Sequence, residues 1–210
     1  MLSIVTFTLG VAMTNSYLVA DTETKEAVVI DPADKGRMIA SEAAKRGWRV
    51  GSIWLTHAHF DHLAGAGGVA DHVNPPPPVA LHPDDYPLWR MQGGAMLFGM
   101  RIDPGPEPTV DLNHGMILHL GNYQFEVRHA PGHTPGHVIL VCAEESLAFC
   151  GDVIFQGSIG RTDLPGGDYA TLMDSIRQQV LTLTDETRLL SGHGPETTVG
   201  QERRNNPFLN

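Results

Sequence analysis

The sequence predicts an α/β protein in which two β-sheets pack together with helices on their outer faces, a four-layer arrangement. Three observations point there. Short apolar or β-branched runs bounded by turn residues recur through both halves of the chain, and one helix-period stretch stands in each half. Each half also passes from strands through its helix to a last strand. The length of 210 residues and the 41% hydrophobic content suit one domain with a full core. No repeat or linker-like segment appears beyond Pro75 to Pro78.

In the first half Leu2 to Leu9 (LSIVTFTL), Ser16 to Ala20 and Ala27 to Ile30 read as strands, punctuated by Asn15, Asp21 to Thr24 and Asp31-Pro32. Lys35 to Arg46 reads as a helix with Met38, Ile39, Ala43 and Ala44 on one face and Gly47 as its stop. Gly51 to Leu55 (GSIWL) is the next strand. Leu63 to Val73 predicts a short helix, broken by Asn74 and the prolines. Val79 to Val110 is the least regular stretch. It reads either as a lid or pocket wall or as a surface excursion with a short helix near Tyr86 to Gln92. Beyond it Met116 to Leu120, Tyr123 to Val127, Val138 to Val141 and Leu147 to Phe149 read as meandering antiparallel strands. Asp168 is the expected N-cap of a helix from Tyr169 to about Leu181, with Leu172, Ile176 and Val180 at four-residue spacing, and Thr187 to Leu190 closes the pattern.

Composition excludes several functions. Lys and Arg number 14 against 24 Asp and Glu, a net charge of −10 with no basic run, which opposes a nucleic-acid partner. Cys142 and Cys150 both lie in apolar strand-like segments, where buried free thiols are expected. The N-terminal stretch has no Lys or Arg before Lys25 and no clean signal-type core, and no run is long enough to span a bilayer. A soluble, cytoplasmic protein without a membrane partner is expected.

The chemistry is concentrated in Thr56-His57-Ala58-His59-Phe60-Asp61-His62, between the GSIWL strand and the glycine-rich LAGAGG. In an extended segment His57, His59 and Asp61 point one way and His62 falls out of phase, so one loop can serve two adjacent metal ions. With 11 His in the chain, an H-x-H-x-D-H run arises by chance in roughly 1 in 500 such chains. His133 (HAPGHTPGH), Asp152 (FCGD) and His193 (SGHG) stand at further strand ends beside glycine, where the backbone can turn tightly. Seven ligand-type residues suit two ions once a bridging carboxylate is counted. His72, His82, His114 and His119 are isolated in polar or turn contexts. His129 and His137 flank His133 without being read as ligands, although His137 could support one, and Asp31 is either a partner that orients a ligand histidine or a turn aspartate.

The whole pattern resembles the metallo-β-lactamase superfamily. GDVIFQGSIGRTDLPGGD and the ending GHGPETTVGQERRNNPFL are similar to short bacterial hydrolases related to glyoxalase II (hydroxyacylglutathione hydrolase). The resemblance covers nearly the entire chain. It implies an α/β four-layer αβ/βα sandwich with the metals at one edge. His57, His59 and His133 would hold one ion, Asp61, His62 and His193 the second, and Asp152 would bridge both. The cofactors implied are two divalent metal ions, zinc first, with iron or manganese as alternatives. Residues 1–210 are expected to form a single metallo-β-lactamase-fold domain without the C-terminal helical domain that grips glutathione in full-length glyoxalase II. Arg161 stands where the family has a glutathione-contacting basic residue, whereas Asp163 and Pro195 replace tyrosines that line the family's substrate site.

The expected activity is hydrolysis of a small-molecule thioester of S-lactoylglutathione type, with Asp61 as the catalytic group that orients the nucleophile or takes its proton. An alternative is persulfide dioxygenation by a single iron on His57, His133 and Asp152 acting on glutathione persulfide, a family that shares the GRTD segment. Hydrolysis of a β-lactam or phosphodiester is a third reading. Asp rather than Cys at position 152 counts against the lactam, and the acidic charge counts against RNA. A closed structural metal site would not need seven ligands on four loops.

Overall fold

Strands β1 (Leu2–Leu9), β2 (Thr14–Asp21), β3 (Glu26–Ile30), β4 (Arg49–Trp54), β5 (Val79–Leu81) and β6 (Val110–Asp111) lie side by side in that order. The first three are antiparallel, and β3 to β6 run parallel. The second sheet uses β7 (Ile117–Leu120), β8 (Tyr123–His129), β9 (Val138–Cys142) and β10 (Leu147–Gly151). After a small hairpin, β11 (Ile154–Phe155) and β12 (Ser158–Ile159), it is completed by β13 (Arg188–Ser191) and β14 (Thr197–Thr198), in the order β14-β13-β10-β9-β8-β7. The computed structural model describes residues 1–209.

Alternation of side chains along the central strands produces the layers. Leu18, Ala20, Ala27 and Val29 face outward onto Ile39 and Ala43 of α1 (Gly36–Lys45). Leu63, which ends α2 (Phe60–Leu63), and Val69 of α3 (Ala66–Ala70) join that cluster. Tyr17, Val19, Val28 and Ile30 face inward onto Phe125, Val127, Leu140 and Phe149 of the second sheet. On the far side Ile139, Val141, Ala148 and Cys150 meet Leu172 of α5 (Tyr169–Ser175), Ile176 just beyond it, and Val199 of α6 (Val199–Asn205). The order is helix, sheet, sheet, helix, as predicted. Because β2 and β3 are covered on both faces, they read as continuous apolar runs rather than alternating ones.

Three expectations need correction. The face of α1 is set by Gly36, Ile39, Ala40 and Ala43, not by Met38 and Ala44, because the helix lies so close to α3 that a Cβ on Gly36 would meet Gly65 O at 1.9 Å. The helix after Asp168 keeps its predicted cap, Thr171 N donating to Asp168 Oδ1 at 2.7 Å, but becomes a π-helical turn over Ile176–Val180. The irregular stretch contributes two short strands that the sequence does not announce, β5 and β6, besides the short helix expected there, α4 (Tyr86–Arg90). Cys142 faces the space between the sheets and Cys150 the outer helical layer, and both are free thiols. Among the described residues no helix is long and apolar enough to cross a membrane.

Candidate metal centre

Four loops converge where the strands end. β4 runs into the histidine loop, and Val138 N at the start of β9 donates to Thr56 O at 2.8 Å, tying the two sheets together there. β10 and β13 are parallel, with a register shift between Phe149 and Gly151, so Asp152 and His193 emerge at the same end. β2 holds the last loop: Asn15 Nδ2 donates to Ser191 O and Gly194 O, and Tyr17 Oη donates to Ser191 O at 2.6 Å.

All seven predicted residues meet in this cleft, but their grouping departs from strand alternation. The chain stays extended only as far as His59 and α2 begins at Phe60, so Asp61 and His62 are placed by helical geometry. The ligand-type atoms of His57, His59 and His133 lie within 4.8 Å of one another, and so do those of Asp61, His62 and His193. Asp152 stands between the triads. Its Oδ1 is 3.3 Å from His62 Nε2, and its Oδ2 is 3.5 Å from His133 Nε2 and 3.4 Å from His193 Nε2. A Cβ on Gly192 would lie 2.2 Å from Asp152 Oδ1 and 2.6 Å from His62 Cε1, so only glycine permits this approach.

The tautomers follow from the partners. His133 Nδ1 lies 2.7 Å from Arg161 O, and His62 Nδ1 lies 2.9 Å from Asp31 Oδ2, so both must donate from Nδ1. Thr56 Oγ1 gives its proton to Asp31 Oδ2 at 2.6 Å and is left to accept from His57 Nδ1 at 3.1 Å. Each of these histidines therefore turns its Nε2 into the cleft, where it can bind a metal whenever that nitrogen is unprotonated. His57 Nε2, His62 Nε2 and Asp152 Oδ1 are buried without a hydrogen bond. Such orphaned atoms are costly unless something binds them, and His and Asp donors of this kind fit a divalent transition metal.

The electrostatics split the centre. Burial and the neighbouring histidines push His57 well below the usual imidazole value, and burial with His133 takes His59 down to about 3. Burial also pushes His62 down, but the carboxylates of Asp152, Asp61 and Asp31 outweigh it and hold His62 well above its ordinary range. His193 rises to about 9, its burial outweighed by Asp152 and Asp61. The two carboxyls respond in kind: Asp61 lies at about 2 and Asp152 well below the usual range, since His62 and His193 overcome the desolvation that would raise them.

Residues outside the seven hold this arrangement. Asp31 does orient a histidine, and it also receives Thr56 N at 2.8 Å. His137 is buried, and its Nε2 accepts from Asp152 N at 3.0 Å, so it supports the Asp152 backbone and is not free to act as a ligand through that atom. Asp85 carries no sequence signal beyond its place in a polar turn. Fully buried, it receives Ala58 N at 2.9 Å, Thr134 Oγ1 at 2.8 Å and Gly136 N at 2.7 Å, joining the first ligand loop to that of His133. Burial raises its carboxyl despite these donors. His82 and His129 stack face to face away from the centre, 4.2 Å apart. Arg161 reaches the rim of the cleft, its guanidinium clasped by both oxygens of Asp163 at 2.7 Å.

The sequence profile of the metallo-beta-lactamase superfamily matches residues 9–193. The chain belongs to that superfamily. Hydroxyacylglutathione hydrolase GloC of Haemophilus influenzae is 39% identical over 197 residues, which cover 93% of this chain and 92% of the relative. The crystal structure of the BLEG-1 B3 metallo-beta-lactamase superposes with a TM-score of 0.89 at 37% identity, covering 100% of this chain and 99% of the other. TTHA1623, crystallised in a di-iron-bound form, gives a TM-score of 0.88 at 41% identity over 98% of this chain and all of the other. As a metallo-hydrolase of this superfamily, the chain has its histidine and aspartate clusters where the sequence predicts a metal centre.

Proposed function

We propose that the protein is a metal-dependent hydrolase of thioesters of S-lactoylglutathione (hydroxyacylglutathione) type. The observation that carries this reading is the pair of ligand-type triads flanking one carboxylate, in a chain similar along nearly its whole length to a hydroxyacylglutathione hydrolase. His57, His59 and His133 would hold one divalent ion, Asp61, His62 and His193 the second, and Asp152 would reach both. Zinc suits these donors, and the di-iron form of a structural neighbour keeps iron as the alternative. Bound there, such ions supply an acidified water and an electrophile for the acyl oxygen.

Asp61 would serve as the proton acceptor. Its Oδ2 is fixed by Thr14 Oγ1 at 2.9 Å and lies 3.3 Å from His193 Nε2, in the wall of the cleft. The water oxygen bonds to the acyl carbon, the carbon–sulfur bond breaks, and the electron pair leaves on sulfur. A thiolate, with an unperturbed pKa near about 8.5, departs without a proton donor. That suits a cleft whose remaining walls are Ala12, Phe60, Phe98, Leu164 and Arg161. Arg161 is the proposed substrate-binding residue, although a glutathione carboxylate must compete with Asp163 for it. A cytoplasmic setting accords with two free cysteines.

A second reading, β-lactam hydrolysis, is favoured by the 37% identity to BLEG-1, but an amide nitrogen needs a proton on departure. The deciding assay is thiol release from S-D-lactoylglutathione without oxygen, on protein reloaded in parallel with zinc, iron and manganese. Turnover should vanish in Asp61→Ala, and Asp152→Ala should lose both activity and bound metal. Retention of both ions at normal turnover in Asp152→Ala would refute the bridging role. Hydrolysis confined to a chromogenic β-lactam would establish the second reading. Oxygen uptake with glutathione persulfide by the iron form alone would replace hydrolysis with single-iron oxidation at His57, His133 and Asp152.

A further inference from the structure

Beside the cleft lies a cavity of about 280 Å³ walled by Leu88, Met91, Leu97, Phe98, Leu164 and Pro165. His59, Phe98 and Leu164 line both spaces, so a substrate whose carbonyl sits in the cleft has the cavity directly alongside. We propose that this cavity is an acyl pocket, and that the preferred thioester carries an apolar acyl group of short to medium length rather than the small polar lactoyl group. The inference deepens the thioesterase reading and rests on it.

Two further observations support it. Met91, Leu97 and Phe98 are 64%, 61% and 48% exposed, a run of large apolar side chains left in water at the mouth of a catalytic site. Clustered exposure of this kind marks a surface that binds something apolar, and methionine adapts to varied shapes. The wall is also held in place. The Phe98 ring packs on Phe60 of the ligand loop at 5.3 Å, and Trp89 Nε1 donates to Pro104 O at 3.1 Å. A preformed apolar pocket selects its ligand at low entropic cost. The carboxylates and ammonium of glutathione would lose their hydration there. The thiol moiety therefore leaves toward the Arg161 rim, and the acyl chain is what the cavity receives.

The test uses zinc-reloaded protein and glutathione thioesters from lactoyl and acetyl to octanoyl. Burial of one methylene is worth about 0.8 kcal/mol, so kcat/KM should climb roughly fourfold per methylene until the cavity is full. A second readout needs no turnover: S-hexylglutathione should bind at least about tenfold more tightly than S-methylglutathione by calorimetry. Leu97→Asp, and independently Met91→Asp, both at exposed positions, should cancel the chain-length preference in each assay. Turnover of the lactoyl thioester with a flat chain-length profile and equal affinity for the two thioethers would overturn the pocket while leaving the hydrolase intact. Failure of every thioester with every metal would overturn both.

Discussion

Two aspartates that donate nothing to the cleft decide whether its ligand-type side chains are in place. Asp85 takes three buried donors, two of them backbone N–H groups of the ligand loops. Removing the carboxylate leaves those donors unsatisfied at about 1–3 kcal/mol each. Asp85→Ala should therefore cost about 3 kcal/mol or more and lower Tm by roughly 6–12 °C for a chain of this size. A thermal scan of metal-free protein within about 2 °C of wild type would mean that water takes over the role. Asp31→Ala should act on the metal instead, because it frees the Nδ1 of His62 and the hydroxyl of Thr56. Loss of such a supporting partner typically lowers metal affinity about 10–100-fold, measurable by competition with a chelator. The seven ligand-type residues were legible because four stand in one heptapeptide and the others mark strand ends beside glycine. Asp31 was half legible, as a polar residue at a strand end. Asp85 was invisible, since its partners lie 27 to 51 residues away and nothing local requires a carboxylate.

At the level of elements, sequence patterns revealed what is periodic and missed what is made by distant pairing. β5 and β6 have three and two residues and are paired in parallel with strands far along the chain, so no alternation announces them. The facing side of α1 departs from its sequence pattern because close packing on α3 selects small residues over the larger Met38. The segment between β5 and β6 carries the short helix of one sequence reading, lines the cavity beside the cleft and reaches the cleft itself through Phe98, and Gly93 packs it against the histidine loop. That residue has φ +61°, and a Cβ there would lie 2.3 Å from Phe60 N and 2.7 Å from Ala58 O. Gly93→Ala thus adds a left-handed conformational cost of about 1–2 kcal/mol to a clash with backbone that carries His59 and Asp61. We expect a fall in Tm together with at least a tenfold loss of kcat/KM. Normal activity in a destabilised Gly93→Ala protein would show that the wall and the ligand loop move independently.

Across the whole molecule the charge asymmetry of the centre sets how metal binding and protons are linked. In metal-stripped protein at neutral pH, His57 and His59 are neutral, with His59 at about 3, whereas His62 is held well above its ordinary value and His193 at about 9. The depressed pair contributes stability that is present above the unfolded value near about 6.5 and lost as pH falls toward the folded one. The raised pair contributes stability that is present below about 6.5 and lost as pH rises through the folded values. Opposite signs on one cleft should make metal-stripped protein most stable near about pH 6.5, declining on both sides in denaturant titrations. The same asymmetry separates the two candidate metal sites. A ligand must be deprotonated to bind, so the first triad should fill at pH 7 with little proton release, and the second should expel about two protons, from His62 and His193. Affinity at the second site should then rise with pH through about 9, where His193 gives up its proton. Calorimetric zinc titrations in buffers of different ionisation enthalpy count those protons for each equivalent. Equal release at both steps would mean that the carboxylates do not hold the second triad in its charged form, and that the two halves of the centre load as one.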